Sequence, residues 1–302
     1  MMQCVKVVGI IQFMVRIMNE VEARFTSIER LHHYEKNLES EPSTCSTTPN
    51  DNWPNEGRII FSKAEMRYRE DLKPVLRNIS FDIYPKMKIG IVGRTGAGKS
   101  SLAAALFRLV ELMDGHIYID GIDVSKIALQ ILRSRLSTIP QDPVLFAGSL
   151  RYNLDPFGKQ NDKDLWDSLE KAHIKDKVIQ LEQGLDLQVE ENGENFSVGE
   201  RQLICLARAI LRRNKVLLLD EATASIDTQT DSLIQQTIKE SFSDCTVMTI
   251  AHRLNTVLHS DLVMIMDNGE VIETGTPQDL LSDPHSFFNA MVAAQTVKTP
   301  SP

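Results

Sequence analysis

Hydrophobic and polar positions change their period several times along the chain. Residues 59–68, 75–83 and 116–119 have strand length and alternation, and Asp120-Gly121 supplies a turn, so an antiparallel β-layer is predicted. Strands of a central parallel sheet are predicted to end at Val92, Ile139, Leu219 and Ile250, those ending at Val92 and Leu219 being short apolar runs. Runs of this kind are strands buried on both faces of a parallel sheet. Leu102 to Val110 is a good helix former. Between Gln141 and Gly199 the spacing turns helical, as in Asp164-Leu165-Trp166-Asp167-Ser168-Leu169. Glu200 to Arg212 predicts an amphipathic helix with Leu203, Leu206, Ala207 and Ile210 on one face. After Ile250 come a strand at 262–266, a tight Asp267-Asn268-Gly269 turn and two short helices. The chain has no internal repeat.

These periods set the boundaries. Residues 39–57 are polar and rich in Ser, Thr, Pro and Asn, which predicts a linker. The main domain is expected over 58–295, with 296–302 a disordered tail. Residues 1–38 read as helix. The apolar stretch Val5 to Met18, bracketed by Lys6 and Arg16, is shorter than the roughly 18–20 uncharged residues a helical span needs. The basic start would suit a signal peptide, but no small-residue cleavage site follows. An amphipathic helix in a membrane interface is another reading.

Composition narrows the classes. With 302 residues, 42% of them hydrophobic, the chain can build one large core plus an appendage. A net charge of −8 argues against nucleic acid as a partner, which usually meets a basic face. Cys4, Cys45, Cys205 and Cys245 are widely spaced and lack a C-x-x-C pattern, so they read as reduced thiols. Cys205 is expected to be a small core residue.

The candidate chemistry begins after the strand Lys88-Ile89-Gly90-Ile91-Val92. Gly93-Arg94-Thr95-Gly96-Ala97-Gly98-Lys99-Ser100 fits G-x-x-x-x-G-K-[ST] between that strand and a helix. Glycines let the backbone curl so that its N–H groups face phosphates, at the positive end of the new helix. Lys99 would reach the β- and γ-phosphates and Ser100 would ligate Mg²⁺. Asp220, ending the run Lys215 to Asp220, would hold Mg²⁺ through water. Glu221 would polarise the water that attacks the γ-phosphate.

Phe196-Ser197-Val198-Gly199-Glu200-Arg201-Gln202-Leu203 precedes Asp220 by about twenty residues and opens a helix that Ser197 is placed to cap. The segment resembles the signature of ABC transporters, usually Leu-Ser-Gly-Gly-Gln. The resemblance implies an α/β fold: a P-loop NTPase of the ABC ATPase type, with a mainly parallel central sheet, an antiparallel β-subdomain and a helical signature subdomain. It also implies that two such domains pair head to tail, the signature of one (Ser197, Val198, Gly199, Glu200) closing over ATP on the other. ATP would lie on residues Gly93 to Ser101, including Ser101, with adenine stacked on Tyr68. Gln141 would be the Q-loop glutamine that reaches Mg²⁺ and couples to a membrane domain. His252 would be the switch histidine at the γ-phosphate, and Asp227 would lie in the D-loop. Tyr68 as a packed strand residue is the competing reading.

The stretches Leu154-Asp155-Pro156-Phe157 and Glu191 to Gln202 resemble most the second nucleotide-binding domain of multidrug resistance-associated proteins, in the subgroup of multidrug resistance-associated protein five. This implies an ATPase driving efflux of organic anions or xenobiotics, on the cytosolic face of the plasma membrane. Its partners would be transmembrane domains and a second nucleotide-binding domain. Residues 1–38 would extend the last membrane helix into the cytosol, making the chain a fragment or short product. Alternatives are a regulatory module that binds ATP with little hydrolysis, or a soluble ABC ATPase.

One departure from the family bears on mechanism. Val198 brings a branched side chain where backbone must approach phosphate, and Glu200 stands where glutamine is usual. Glu200 either carries a negative charge toward the triphosphate or complements the helix dipole. The expectation is a weak signature, with the Walker loop, Asp220, Glu221 and His252 forming the competent half of another site, and slow hydrolysis without a partner.

Overall fold

The computed structural model describes residues 2–38, 41, 46–220, 228–251 and 254–298. The chain forms two units, Met1–Thr44 and Cys45–Pro302. The first is one helix, α1 (Met2–Asn37). At 1.5 Å per residue it is about 54 Å long. Val7, Ile11, Met14, Met18, Val21, Phe25 and Ile28 are exposed along it. Their alternating spacing of four and three places them on one face. No described helix is long and apolar enough to cross a membrane.

The second unit begins inside the expected linker, which the structure shortens. The Ser46 and Thr47 N–H groups both donate to the Lys126 carbonyl at 3.1 Å. Trp53 is buried, and its indole N–H donates to the Ile119 carbonyl at 3.0 Å. The Asp120 carboxylate accepts the N–H groups of Glu56, Gly57 and Arg58. One aromatic body with a polar handle thus pins a stretch whose composition is otherwise that of a connector.

Strands β1 (Ile59–Met66) and β2 (Leu76–Ile83) pair antiparallel, as predicted. After β3 (Lys88–Gly93) and α2 (Lys99–Leu106), β4 (Asp114–Ile119) and β5 (Ile122–Asp123) complete an antiparallel sheet in the order β2-β1-β4-β5. Helix α2 stops four residues before the predicted Val110. Arg108 turns there into the left-handed region (φ 48°). Its buried guanidinium donates to the Val124 and Ile127 carbonyls and pairs with Glu111. A charge satisfied by loop carbonyls outweighs four more residues of helix.

Helix α3 (Leu129–Arg135) runs into β6 (Leu136–Ile139). The helical subdomain follows: β7 (Gly148–Ser149), α4 (Leu150–Leu154), α5 (Asp162–Lys171), α6 (Lys175–Gln180), β8 (Gln188–Val189) and α7 (Val198–Arg212). The chain then returns through β9 (Val216–Asp220), α8 (Thr228–Ser241), β10 (Thr246–Ile250), α9 (Leu254–Val257), β11 (Leu262–Asp267) and β12 (Glu270–Gly275). Helices α10 (Pro277–Ser282) and α11 (Phe287–Lys298) close the domain. Helix α11 runs three residues into the expected tail. Residues 299–302 lie outside the described residues.

The central sheet has the order β12-β11-β3-β10-β9-β6, parallel except for the β11–β12 hairpin. Its inner strands β3, β10, β9 and β11 are mainly apolar because both faces are covered, whereas the edge strand β12 is exposed at alternate residues. In β9, Leu217 and Leu219 enter the core shared with α7 and α8, while Val216 and Leu218 enter the core under the β-layer and α2. Helix α7 is buried almost all round, including Ile204, Ala209 and Leu211, while Ile210, expected on the buried face, is only partly covered. A helix wedged between a sheet and a helical layer has little surface left for a polar stripe.

Candidate nucleotide site

The strands of the central sheet end in register. Ile250 pairs with both Asp220 and Ile91, and Ile139 pairs with Leu219. The glycine loop after β3, Asp220 at the end of β9 and Gln141 just beyond β6 therefore share one sheet edge. In an α/β sheet, the carboxyl ends of strands on either side of a switch in strand order form the binding crevice. Gln141 is exposed there. Glu221, Asp227 and His252 lie outside the described residues.

The loop itself is held from behind. The Ala97 N–H donates to the Arg94 carbonyl, and the Ala97 carbonyl accepts the Gly269 N–H at 3.0 Å. Gly269 is the last residue of the β11–β12 turn, and its carbonyl accepts the Arg77 N–H at 2.8 Å. Gly269 has φ +82°, and a Cβ there would stand 2.1 Å from the Val75 carbonyl oxygen. Gly98, with φ 102°, turns the loop into α2. Arg94 to Gly96 and Ser100 are exposed at the mouth, with Ala97, Gly98 and Ser101 buried behind.

Lys99 is buried, and its ammonium donates to the Gly93 carbonyl at 2.8 Å and the Arg94 carbonyl at 3.2 Å. Burial pushes its pKa down, opposed by the charge of Asp220. A desolvated cation at the mouth of a glycine loop is electrostatically poised for an anion. Tyr68 is half exposed, with its hydroxyl 3.0 Å from Ser101 Oγ. The contact fixes the ring beside the first turn of α2 and leaves a face open to solvent.

The signature segment begins α7. Ser197 and Glu200 form a reciprocal cap: the Ser197 hydroxyl accepts the Glu200 N–H at 3.2 Å, and the Glu200 carboxylate accepts the Ser197 N–H at 2.8 Å. The other Glu200 oxygen pairs with Lys177 on α6 at 3.2 Å. Burial pushes the carboxyl pKa up. The Ser197 N–H, Lys177 and the Ser197 hydroxyl outweigh it and hold the pKa below the usual glutamate range. Of the two readings of Glu200, the geometry supports the helix-start one: the charge is turned back on its own helix. Ser197 and Val198 are exposed, and Gly199 packs on Thr230 of α8, whose side chain a Cβ would meet at 3.2 Å.

Gln202 was missed in the sequence. It is fully buried, and its amide N–H donates to the Pro140 carbonyl at 3.2 Å, tying α7 to the residue before Gln141. Its signal was a polar residue inside an otherwise buried helix. Cys205 is buried as expected, and burial pushes its thiol pKa up.

A parallel sheet with a glycine loop at its edge, an antiparallel β-layer and a helical layer headed by a capped signature segment define an ABC ATPase domain, a class that binds ATP. Residues 76–224 match the ABC transporter family model. Among curated proteins, the ATP-binding cassette sub-family C member 2 of Homo sapiens is 50% identical over 278 residues, 92% of this chain and 18% of the relative. The ABC transporter C family member 8 of Dictyostelium discoideum is 48% identical over 97% of this chain, and the multidrug resistance protein mrp-7 of Caenorhabditis elegans 50% over 94%. The chain thus spans less than a fifth of these relatives (18–19% of their length). A bacterial Atm1-family ABC exporter with ATP bound superposes with a TM-score of 0.80 at 31% identity, over 91% of this chain and 48% of that one.

Proposed function

We propose that the chain is the second nucleotide-binding domain of a C-family exporter, binding Mg-ATP and hydrolysing it in a head-to-tail pair with another such domain. The observation that carries this reading is the shared edge: the Lys99 loop, Asp220 and Gln141 stand at the carboxyl ends of parallel strands of one sheet. Backbone N–H groups of the loop and the Lys99 ammonium take the phosphates, and Tyr68 takes the adenine. The hydroxyl of Ser100, the amide oxygen of Gln141 and the carboxylate of Asp220 suit Mg²⁺, a hard cation that keeps waters and shares its shell with phosphates. Glu221 is the water-polarising base, His252 contacts the γ-phosphate, and Asp227 crosses to the partner domain.

The exposed, capped start of α7 is the surface that closes over the partner's nucleotide, with backbone N–H groups and helix dipole aimed outward. With Glu200 turned back, Val198 is the residue that weakens this closure, by its bulk. Membrane domains supply the transport path. Helix α1 continues their last helix on the cytosolic side of the plasma membrane, and organic anions are the cargo class. The placement in the subgroup of multidrug resistance-associated protein five rests on Leu154 to Phe157 and Glu191 to Gln202 alone.

The test is steady-state ATP hydrolysis by the chain alone and mixed with a first nucleotide-binding domain from a C-family exporter, with Glu221→Gln as control. The expected result is slow turnover alone, and stimulation that disappears in E221Q. Fast turnover by the chain alone contradicts the paired-site reading.

A further inference from the structure

Arg135 immediately precedes β6 and Asn214 closely precedes β9, at the edge of the sheet opposite the one that carries Gln141 and Asp220. Strands of four and five residues separate the two edges by about 15 Å. At this far edge a groove of about 950 Å³ lies between α3, the loop after α4 and the end of α7. Its volume is in the range of small-ligand sites, about 300–1,000 Å³. Four cations line it, Arg133, Arg135, Lys159 and Arg212, against the one carboxylate of Asp155.

These charges are unequally committed. The Arg133 guanidinium donates to the Phe107 and Arg108 carbonyls, and the Asp155 carboxylate accepts the Gln160 N–H at 2.6 Å, within its own loop. Arg135 and Arg212 make no hydrogen bond or ion pair among the described residues. Arg212 is exposed at the groove, and partial desolvation, then the neighbouring Arg208, push its pKa down. Lys159 stands over the ring of Phe157 at 5.4 Å, and Phe157 is 76% exposed at the rim. A chain of net charge −8 has thus gathered free guanidinium groups beside an exposed aromatic ring.

We propose that this groove is a second anion site, distinct from the nucleotide edge, for a small ligand that joins a phosphate dianion to a flat ring. Guanidinium forks match the oxygens of a phosphate in a bidentate geometry, which favours Arg135 and Arg212 as its ligands. Phe157 offers the face on which the ring of the ligand stacks. Occupancy would bridge α3 of the sheet layer and α7 of the helical subdomain.

The probe is 1-naphthyl phosphate, titrated calorimetrically with and without saturating Mg-ADP, with 1-naphthol and inorganic phosphate as separate arms. One equivalent should bind regardless of ADP, and both single-feature arms should bind at least about tenfold more weakly. The Arg135→Ala/Arg212→Ala double variant should weaken binding about tenfold or more, and Phe157→Ala should weaken naphthyl phosphate but not phosphate. Both variants should keep the thermal midpoint of the parent, which separates loss of the site from loss of the fold. Displacement by ADP, unchanged affinity in the arginine double variant, or no binding at about 1 mM overturns the proposal. The arginine comparison needs no nucleotide, so it remains decisive even if ADP fails to bind.

Discussion

Glu200 shows how one side chain can carry two opposite expectations until its hydrogen bonds are seen. Its carboxylate closes a cap on Ser197 and pairs with Lys177, so its charge supports α7. Glu200→Gln should retain the cap and lose only the pair, a change of under about 1 kcal/mol at pH 7. Glu200→Ala should lose about 1 kcal/mol. The pH dependence has a definite sign. The folded pKa lies below the ordinary value of 4.5, so the stabilisation is present above that value and is lost as pH falls through the lower folded value. Urea unfolding at pH 7 and pH 4 should show a larger acid loss for the parent than for E200Q. Equal losses would mean that the carboxylate is not held as described. Gly269 makes a second prediction at this scale. Its left-handed backbone and the 2.1 Å approach of the Val75 carbonyl leave no room for a Cβ, so Gly269→Ala should cost about 2 kcal/mol. Because Gly269 also holds Ala97, ATP affinity should fall with stability in equilibrium binding.

At the scale of elements, the sequence was most readable where a strand is buried on both faces. The runs ending at Val92, Ile139, Leu219 and Ile250 all lie in the central sheet, and two-sided burial is clearest in the unbroken apolar residues 216–219. Boundaries set by a single side chain were not readable. Arg108 ends α2 by turning inward to carbonyls from 16 and 19 residues later, contacts that no local pattern encodes. Trp53 converts part of a polar stretch into a strap on the domain. Trp53→Ala should therefore cost about 3–5 kcal/mol by calorimetry, a core-sized loss, where a true linker would register almost nothing. The glycine loop opening α2 and the Ser197 cap of α7 were readable because their residue types are few and their spacing is fixed. Gln202 was not, because its partner, the Pro140 carbonyl, is set by the packing of α7 against β6.

In the whole molecule, the proposed phosphate site lies at one sheet edge, and the exposed start of α7 is the proposed half of a surface that meets another domain. The claim beneath all others is that the Lys99 loop on this edge binds ATP. Lys99 is desolvated and held only by backbone carbonyls of its own loop among the described contacts, beside the charge of Asp220. Removing its ammonium should leave the fold intact and the phosphates without their main cation. The most direct test is calorimetric titration of Mg-ATP into the chain and into Lys99→Ala, with thermal unfolding as the check on folding. The account predicts one ATP per chain for the parent, and binding at least about tenfold weaker for a folded K99A. Equal affinity of the two proteins, or no ATP bound by the parent, would contradict it.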